Sequence, residues 1–163
     1  MAAGATPAIR ALLADAAVHT VHSYDHDPRS DSFGTEAVGV LRARLGVAGR
    51  RIFKTLILEL STGSLAVAVI PVPETLSLKA AAAALGAPKA TMADRAKAER
   101  ATGYVLGGIS PLGQRRRHPA VVDASALHWE TVFCSAGRRG VEIEVAPADL
   151  IRLAGAVTAP VTA

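Results

Sequence analysis

The run "RIFKTLILELSTGSLAVAVIPV", residues 51–72, constrains the fold more than any other segment. Two β-prone stretches flank "STGS", a four-residue connection containing glycine, so the segment reads as a β-hairpin. In the first strand, alternation places Ile52, Lys54, Leu56 and Leu58 on one face and Phe53, Thr55 and Ile57 on the other. A lysine on an otherwise apolar face is unusual, because burying an unpaired ammonium is costly. Either Lys54 lies near the strand start and snorkels to water, or it lines a pocket as a cation able to hold an anionic or carbonyl oxygen.

Other elements alternate around this hairpin. Thr6–Pro7 reads as an N-cap and first-turn proline, opening a helix over about Pro7 to Ala16. "AVHTVHSYDHD" reads as a strand ending in a polar loop. "FGTEAVGVLRARLG" reads as a second helix, with Thr35 as cap and Gly46 as terminator. "LSLKAAAAALG" and "MADRAKAERATG" read as further helices. "YVLGGI", "AVVDAS", "TVFCSAG" and "GVEIEVA" are β-prone runs. In the last, Val141, Ile143 and Val145 face one way and Glu142 and Glu144 the other. "PADLIRLAG" is a helix opened by Pro147, and residues 156–163 read as a flexible tail. Several strands follow one another directly. That favours a mixed α/β (α+β) fold, with a mixed or open-barrel sheet and helices outside, over a doubly wound parallel sheet.

The chain has 163 residues, half of them hydrophobic, which suits one domain over 1–163 with a Val, Leu, Ile and Ala interior. Lys plus Arg number 18 against 14 Asp plus Glu, an excess that permits an anionic partner without demanding one. The single cysteine, Cys134, excludes an intrachain disulfide and a cysteine-based zinc site within one chain. The N-terminus lacks a basic segment followed by a long apolar one, and no apolar run reaches the roughly 18 residues of a membrane span. A cytoplasmic protein without membrane association is expected.

Three constellations can carry chemistry. In "GGISP", Gly107 and Gly108 bare the backbone where amides can approach a ligand, and Pro111 stiffens the exit. Such a loop can present N–H donors to a developing oxyanion, or be an ordinary tight turn. In "FCSAGRRG", Ser135 ends a β-run beside Arg138 and Arg139, an arrangement suited to phosphate or ribose or, equally, to a solvated hairpin turn. "HTVHSYDHD" offers His19, His22 and His26, but their spacing falls at a strand end, which argues against a metal site. Tyr24 there is a better pocket candidate. Cys134 sits mid-run, where a packed thiol is usual. No serine occupies a nucleophile elbow, and no phosphate-loop or dinucleotide fingerprint is present.

Taken in order, "TPAI", "YDHD", "FKTL", "MAD", "TGYVLGGISPLGQ", "ETVFCSAGRRG" and "APADL" resemble the YbaK family of aminoacyl-tRNA deacylases, related to the editing domain of bacterial prolyl-tRNA synthetases. The likeness covers nearly the whole chain. It implies a mixed α/β fold with a barrel-like sheet surrounded by helices. The implied activity is cleavage of the ester of mischarged Cys-tRNA(Pro), without metal or cofactor, in transient complex with prolyl-tRNA synthetase. It implies that Lys54 is the essential lysine and that Gly107 begins the Gly-x-x-x-Pro loop ending at Pro111. Tyr24, Phe33, Thr55 and Ser135 fall at pocket positions, and Gly108, Ile109 and Ser110 go with the loop. The substrate's own thiol would be the attacking group. Arg115, Arg116 and Arg117 would form a basic rim for the tRNA acceptor end, with Arg138 and Arg139 contributing. Two other readings compete: a non-catalytic tRNA- or synthetase-binding module, and a small-ester hydrolase using Cys134 or Ser135.

Overall fold

The computed structural model describes residues 4–163. Helix α1 spans Pro7–Asp15, and the Thr6 hydroxyl caps it by accepting from the Ile9 N–H at 3.2 Å. Strand β1 spans His19–Ser23 and helix α2 spans Phe33–Leu45. The hairpin is as expected: β2 over Phe53–Leu60 and β3 over Leu65–Pro71. Helix α3 covers Leu78–Ala84, β4 Ala90–Met92 and α4 Arg95–Thr102. Then come β5 (Ala120–Asp123), β6 (Val132–Arg138), β7 (Val141–Val145), α5 (Pro147–Ala154) and β8 (Ala156–Ala159).

The strands form two sheets. One is antiparallel, in the order β1-β7-β6. The other is mixed, in the order β4-β2-β3-β5-β8, with β5 parallel to both β3 and β8. An isolated parallel bridge between Ile52 and Phe133 joins them where β2 begins. The fold is thus mixed α/β, and its barrel-like character amounts to two sheets meeting at one corner.

The main core lies where both sheets converge with α1, α4 and α5. It includes Leu12, Phe53, Ile57, Val69, Val122, Ile143 and Leu150. A second cluster, with Leu58, Leu60, Ile70 and Val121, packs the opposite face of β2 and β3 against α3. Alternation along β2 therefore divides its side chains between two hydrophobic layers, which explains why the strand reads as almost continuously apolar.

Four local expectations are corrected. Residues 156–163 are not a tail. Gly155 turns the chain in a left-handed conformation (φ 61°), β8 pairs with β5, and Val161 is fully buried with its N–H donated to Asp123. "YVLGGI" is a loop, because the Gly108 N–H closes a turn on the Val105 carbonyl at 2.9 Å. Helix α2 begins at Phe33, two residues before the expected Thr35 cap, and Ser32 holds the cap position without a side-chain bond. The helix expected over "MADRAKAERATG" begins only at Arg95, because Met92 ends strand β4 and Asp94 caps α4.

Candidate active site

A pocket of about 180 Å³ opens at the start of β2. β4 pairs only with Leu58–Leu60, which leaves the first half of β2 without a sheet neighbour on that side. Lys54 and Thr55 come from this edge, Ser135 and Glu142 from β6 and β7, Tyr24 from the loop after β1, and Gly107 from the loop after α4. Phe33, Ile109 and Arg138 complete the wall. Eight residues singled out in the sequence thus meet in one place, drawn from both sheets.

Lys54 is partly buried and makes no ion pair among the described residues. Burial lowers its pKa from the ordinary lysine value. It is an uncompensated cation on the pocket wall, not a lysine snorkelling into bulk water.

Gly107 carries φ +85°, a conformation that strains residues with a side chain. A Cβ there would also press on the Phe33 ring. Phe33 is held from other sides: the Arg139 guanidinium lies 4.5 Å above its ring centroid and the His26 ring 5.6 Å away. Arg139 also donates from Nε to the Leu106 carbonyl at 2.8 Å, tying the β6–β7 turn to the loop. The flanking amides are engaged, Leu106 N–H on the Glu99 carboxylate and Gly108 N–H on Val105. The Gly107 N–H has no protein partner among the described residues. The Ile109 N–H, on the same pocket wall, has none either, so the loop presents two amides without a protein acceptor.

Glu142 is the functional candidate that sequence reasoning missed. Only 7% exposed, it lines the pocket, and its Oε2 has no hydrogen-bond partner. Burial pushes its pKa up to about 8, so at neutral pH it is chiefly a neutral acid. It therefore leaves the Lys54 charge unbalanced. The Thr55 hydroxyl is likewise buried without a partner. Burial, then the nearby Glu142 and Glu36, raise the Tyr24 pKa, so its phenol stays protonated. Ser135 Oγ accepts from the Gly137 N–H at 3.1 Å, and no base contacts it. The pocket offers a cation, a free backbone donor and neutral hydroxyls, with no activated nucleophile.

Other expected site residues lie elsewhere. Gly108 is buried against the backbone of Arg138 and Arg139, 3.0 Å from where its Cβ would stand. Ser110 is fully buried and braces the loop: its Oγ accepts from the Leu112 N–H and its carbonyl from Gln114. Pro111 lines a separate cleft with Gln114 and His118. Arg115, Arg116 and Arg117 do not rim the pocket. They lie beside the β2–β3 turn at Gly63–Ser64, at the far end of the hairpin. The six steps along the strand from Lys54 to Leu60 alone span about 20 Å. This displacement arises because the loop doubles back: the Arg115 N–H donates to the Thr102 carbonyl. The three histidines also diverge, His19 to the Ala17 carbonyl, His22 to Glu144 and His26 to Glu36. Cys134 is wholly buried, and burial raises its pKa well above the usual thiol value.

The family model of the aminoacyl-tRNA editing domain matches residues 34–153. The Enterococcus faecalis (strain ATCC 700802 / V583) protein EbsC, named as a candidate Cys-tRNA(Pro)/Cys-tRNA(Cys) deacylase, is 37% identical over 118 residues, 72% of each chain. The crystal structure of hypothetical protein APE2540 superposes with a TM-score of 0.82 at 26% identity, covering 97% of this chain and 100% of that one. A structure described as a candidate trans-editing enzyme for prolyl tRNA synthetase shares the fold, with a TM-score of 0.77 at 22% identity and coverage of 97% and 98%. The chain belongs to the aminoacyl-tRNA editing domain family, the YbaK family that its motifs resemble.

Proposed function

We propose that this protein is a trans-editing deacylase that cleaves the ester of Cys-tRNA(Pro). The observation that carries this reading is the pairing, in one small pocket, of an uncompensated lysine with a loop amide that has no protein partner. An ester entering the pocket meets both. The Gly107 N–H stabilises the oxyanion as the carbonyl carbon becomes tetrahedral, and Lys54 holds the ester or the terminal ribose electrostatically.

The absence of a serine or cysteine paired with a base favours a nucleophile brought by the substrate. The cysteinyl thiol attacks its own carbonyl carbon. The ester C–O bond breaks, the ribose oxygen takes the thiol proton, and a four-membered thiolactone leaves for hydrolysis by water. The protein's part is to fold the aminoacyl group onto itself and to receive the developing charge. Tyr24, Phe33, Thr55, Ile109 and Ser135 set the space available, and Arg138 and Arg139 flank the mouth for the terminal nucleotide. EbsC is named for both Cys-tRNA(Pro) and Cys-tRNA(Cys). Discrimination between tRNAs falls outside a pocket this small, which is consistent with a transient complex with prolyl-tRNA synthetase.

The test is deacylation of cysteinyl-, alanyl- and prolyl-tRNA by the wild type and by Lys54→Ala. Cysteinyl-tRNA is expected to be cleaved fastest, with a loss on the order of a hundredfold in the variant. Unchanged cleavage by Lys54→Ala would sink the assignment.

A further inference from the structure

The arginines displaced from the pocket build a second positively charged feature. A groove of about 550 Å³ runs between α4 and the 115–119 segment. Lys97 and Arg100 line one side, Arg115, Arg116, Arg117 and His118 the other, and Gly63–Leu65 of the hairpin turn the end. Lys97 is paired with Glu59 at 3.1 Å. Arg100, Arg115, Arg116 and Arg117 are exposed and have no carboxylate partner among the described residues. The formal net charge of the whole chain is 18 − 14 = +4. Six of the 18 lysines and arginines pair with a carboxylate among the described residues, and four of the other twelve line this one groove.

His118 lies half-buried on the arginine side of the groove. Its pKa is lowered, first by burial and then by Arg116. Its Nδ1 shares a hydrogen bond with Gln114 at 3.0 Å, and no carboxylate contacts it. On α4, the only acids are Glu99, engaged by Arg95 and the Leu106 N–H, and Asp94, which caps the helix; Glu59 is held by Lys97.

We infer that this groove binds the RNA sugar–phosphate backbone at a place distinct from the catalytic pocket. The inference rests on the deacylase reading for the identity of the RNA, but not for the charge. The loop 103–119 joins the two places: Gly107 reaches the pocket, while Arg115 returns to the end of α4. Along β2 the separation is about 20 Å. That separation is several nucleotides of one RNA strand, not a single phosphate. One RNA with its 3′ end in the pocket can thus lay its backbone across the groove. Unpaired guanidiniums suit this role, because each takes a phosphate bidentately without first giving up a carboxylate. Contacts of this kind position an RNA without reading its sequence.

The test uses the full chain and uncharged tRNA(Pro), with binding followed against salt concentration. Arg100→Ala/Arg116→Ala should weaken binding tenfold or more at low salt and reduce the log–log salt slope by about two. Arg29→Ala, removing an exposed charge that does not line the groove, should leave both unchanged. The NMR titration of His118 should move to higher pH when tRNA is added. In turnover, the double variant should raise KM for cysteinyl-tRNA while kcat stays near wild type. Equal affinity and slope for wild type and double variant, or a His118 titration indifferent to tRNA, overturns the groove. A Lys54→Ala variant that still deacylates, beside arginine variants that bind poorly, would reject the deacylase reading and keep the groove.

Discussion

A methyl group placed on Gly107 would stand 2.5 Å from the ring of Phe33. The two residues are far apart in sequence, yet each fixes the other: the ring needs the bare backbone, and the loop rests on the ring. Gly107→Ala therefore meets a steric penalty and a φ penalty together. A loss of about 1–3 kcal/mol of stability is expected, with deacylation falling at least tenfold as the free amide is displaced. Adding Phe33→Ala should relieve the steric part alone. Urea unfolding of the two single variants and the double variant measures this, and strict additivity would show that the contact does not matter.

Lys54 should be costly to stability even though activity depends on it. Its desolvated ammonium has no counter-charge, so Lys54→Met should fold at least as well as wild type while losing cleavage about a hundredfold. The sign with pH follows from the lowered pKa. Between the folded value and the ordinary lysine value of 10.5, the unfolded chain binds more protons. Wild-type stability therefore rises with pH through that window. Lys54→Met should lack that rise in a chemical-denaturation series at alkaline pH.

Glu142 gives the opposite slope. Its folded pKa, about 8, lies above its ordinary value of 4.5, so between them the folded chain holds the extra proton. Stability then falls as pH rises through this range. Glu142→Gln should remove the fall, matching wild type near pH 5 and exceeding it by up to about 4 kcal/mol at pH 8. Parallel stability–pH curves for the two proteins would refute a buried neutral acid.

β8 should matter to folding. Val161 is fully buried beside the β5 end of the mixed sheet, so Val161→Ala should cost about 2 kcal/mol. Removing residues 156–163 should lower the melting temperature much further, since it bares the edge of β5. A truncated chain that melts like wild type would restore the tail reading.

The thiol has its own check. Seryl-tRNA is nearly the same shape as cysteinyl-tRNA but carries a far weaker nucleophile at neutral pH. Seryl-tRNA should be cleaved at least tenfold more slowly in side-by-side single-turnover assays, and equal rates would point to water as the attacking group.

Much of the pocket was legible because its signals are local. Lys54 breaks an apolar alternation within one strand, and paired glycines before a proline mark bare backbone. Glu142 was not legible for a topological reason. In "GVEIEVA" it alternates with Val141 and Ile143 as a solvent-facing residue would, but β7 is the central strand of its sheet, and the pocket closes over that side chain. Glu144, two residues along on the same face, meets Arg51, Thr131 and His22 instead. Nothing in the alternation separates the two. The arginines failed as rim residues because their position depends on one hydrogen bond, from Arg115 back to Thr102. β8 went unseen because its partner β5 lies more than thirty residues upstream.

The sealed position of Cys134 has a practical consequence. A chain whose only thiol is fully enclosed contributes no colour to a thiol-reactive dye while it stays native. Any slow rise in colour then counts molecules that have come apart, so a thiol reagent added to the protein alone reads the integrity of the fold from a baseline of zero.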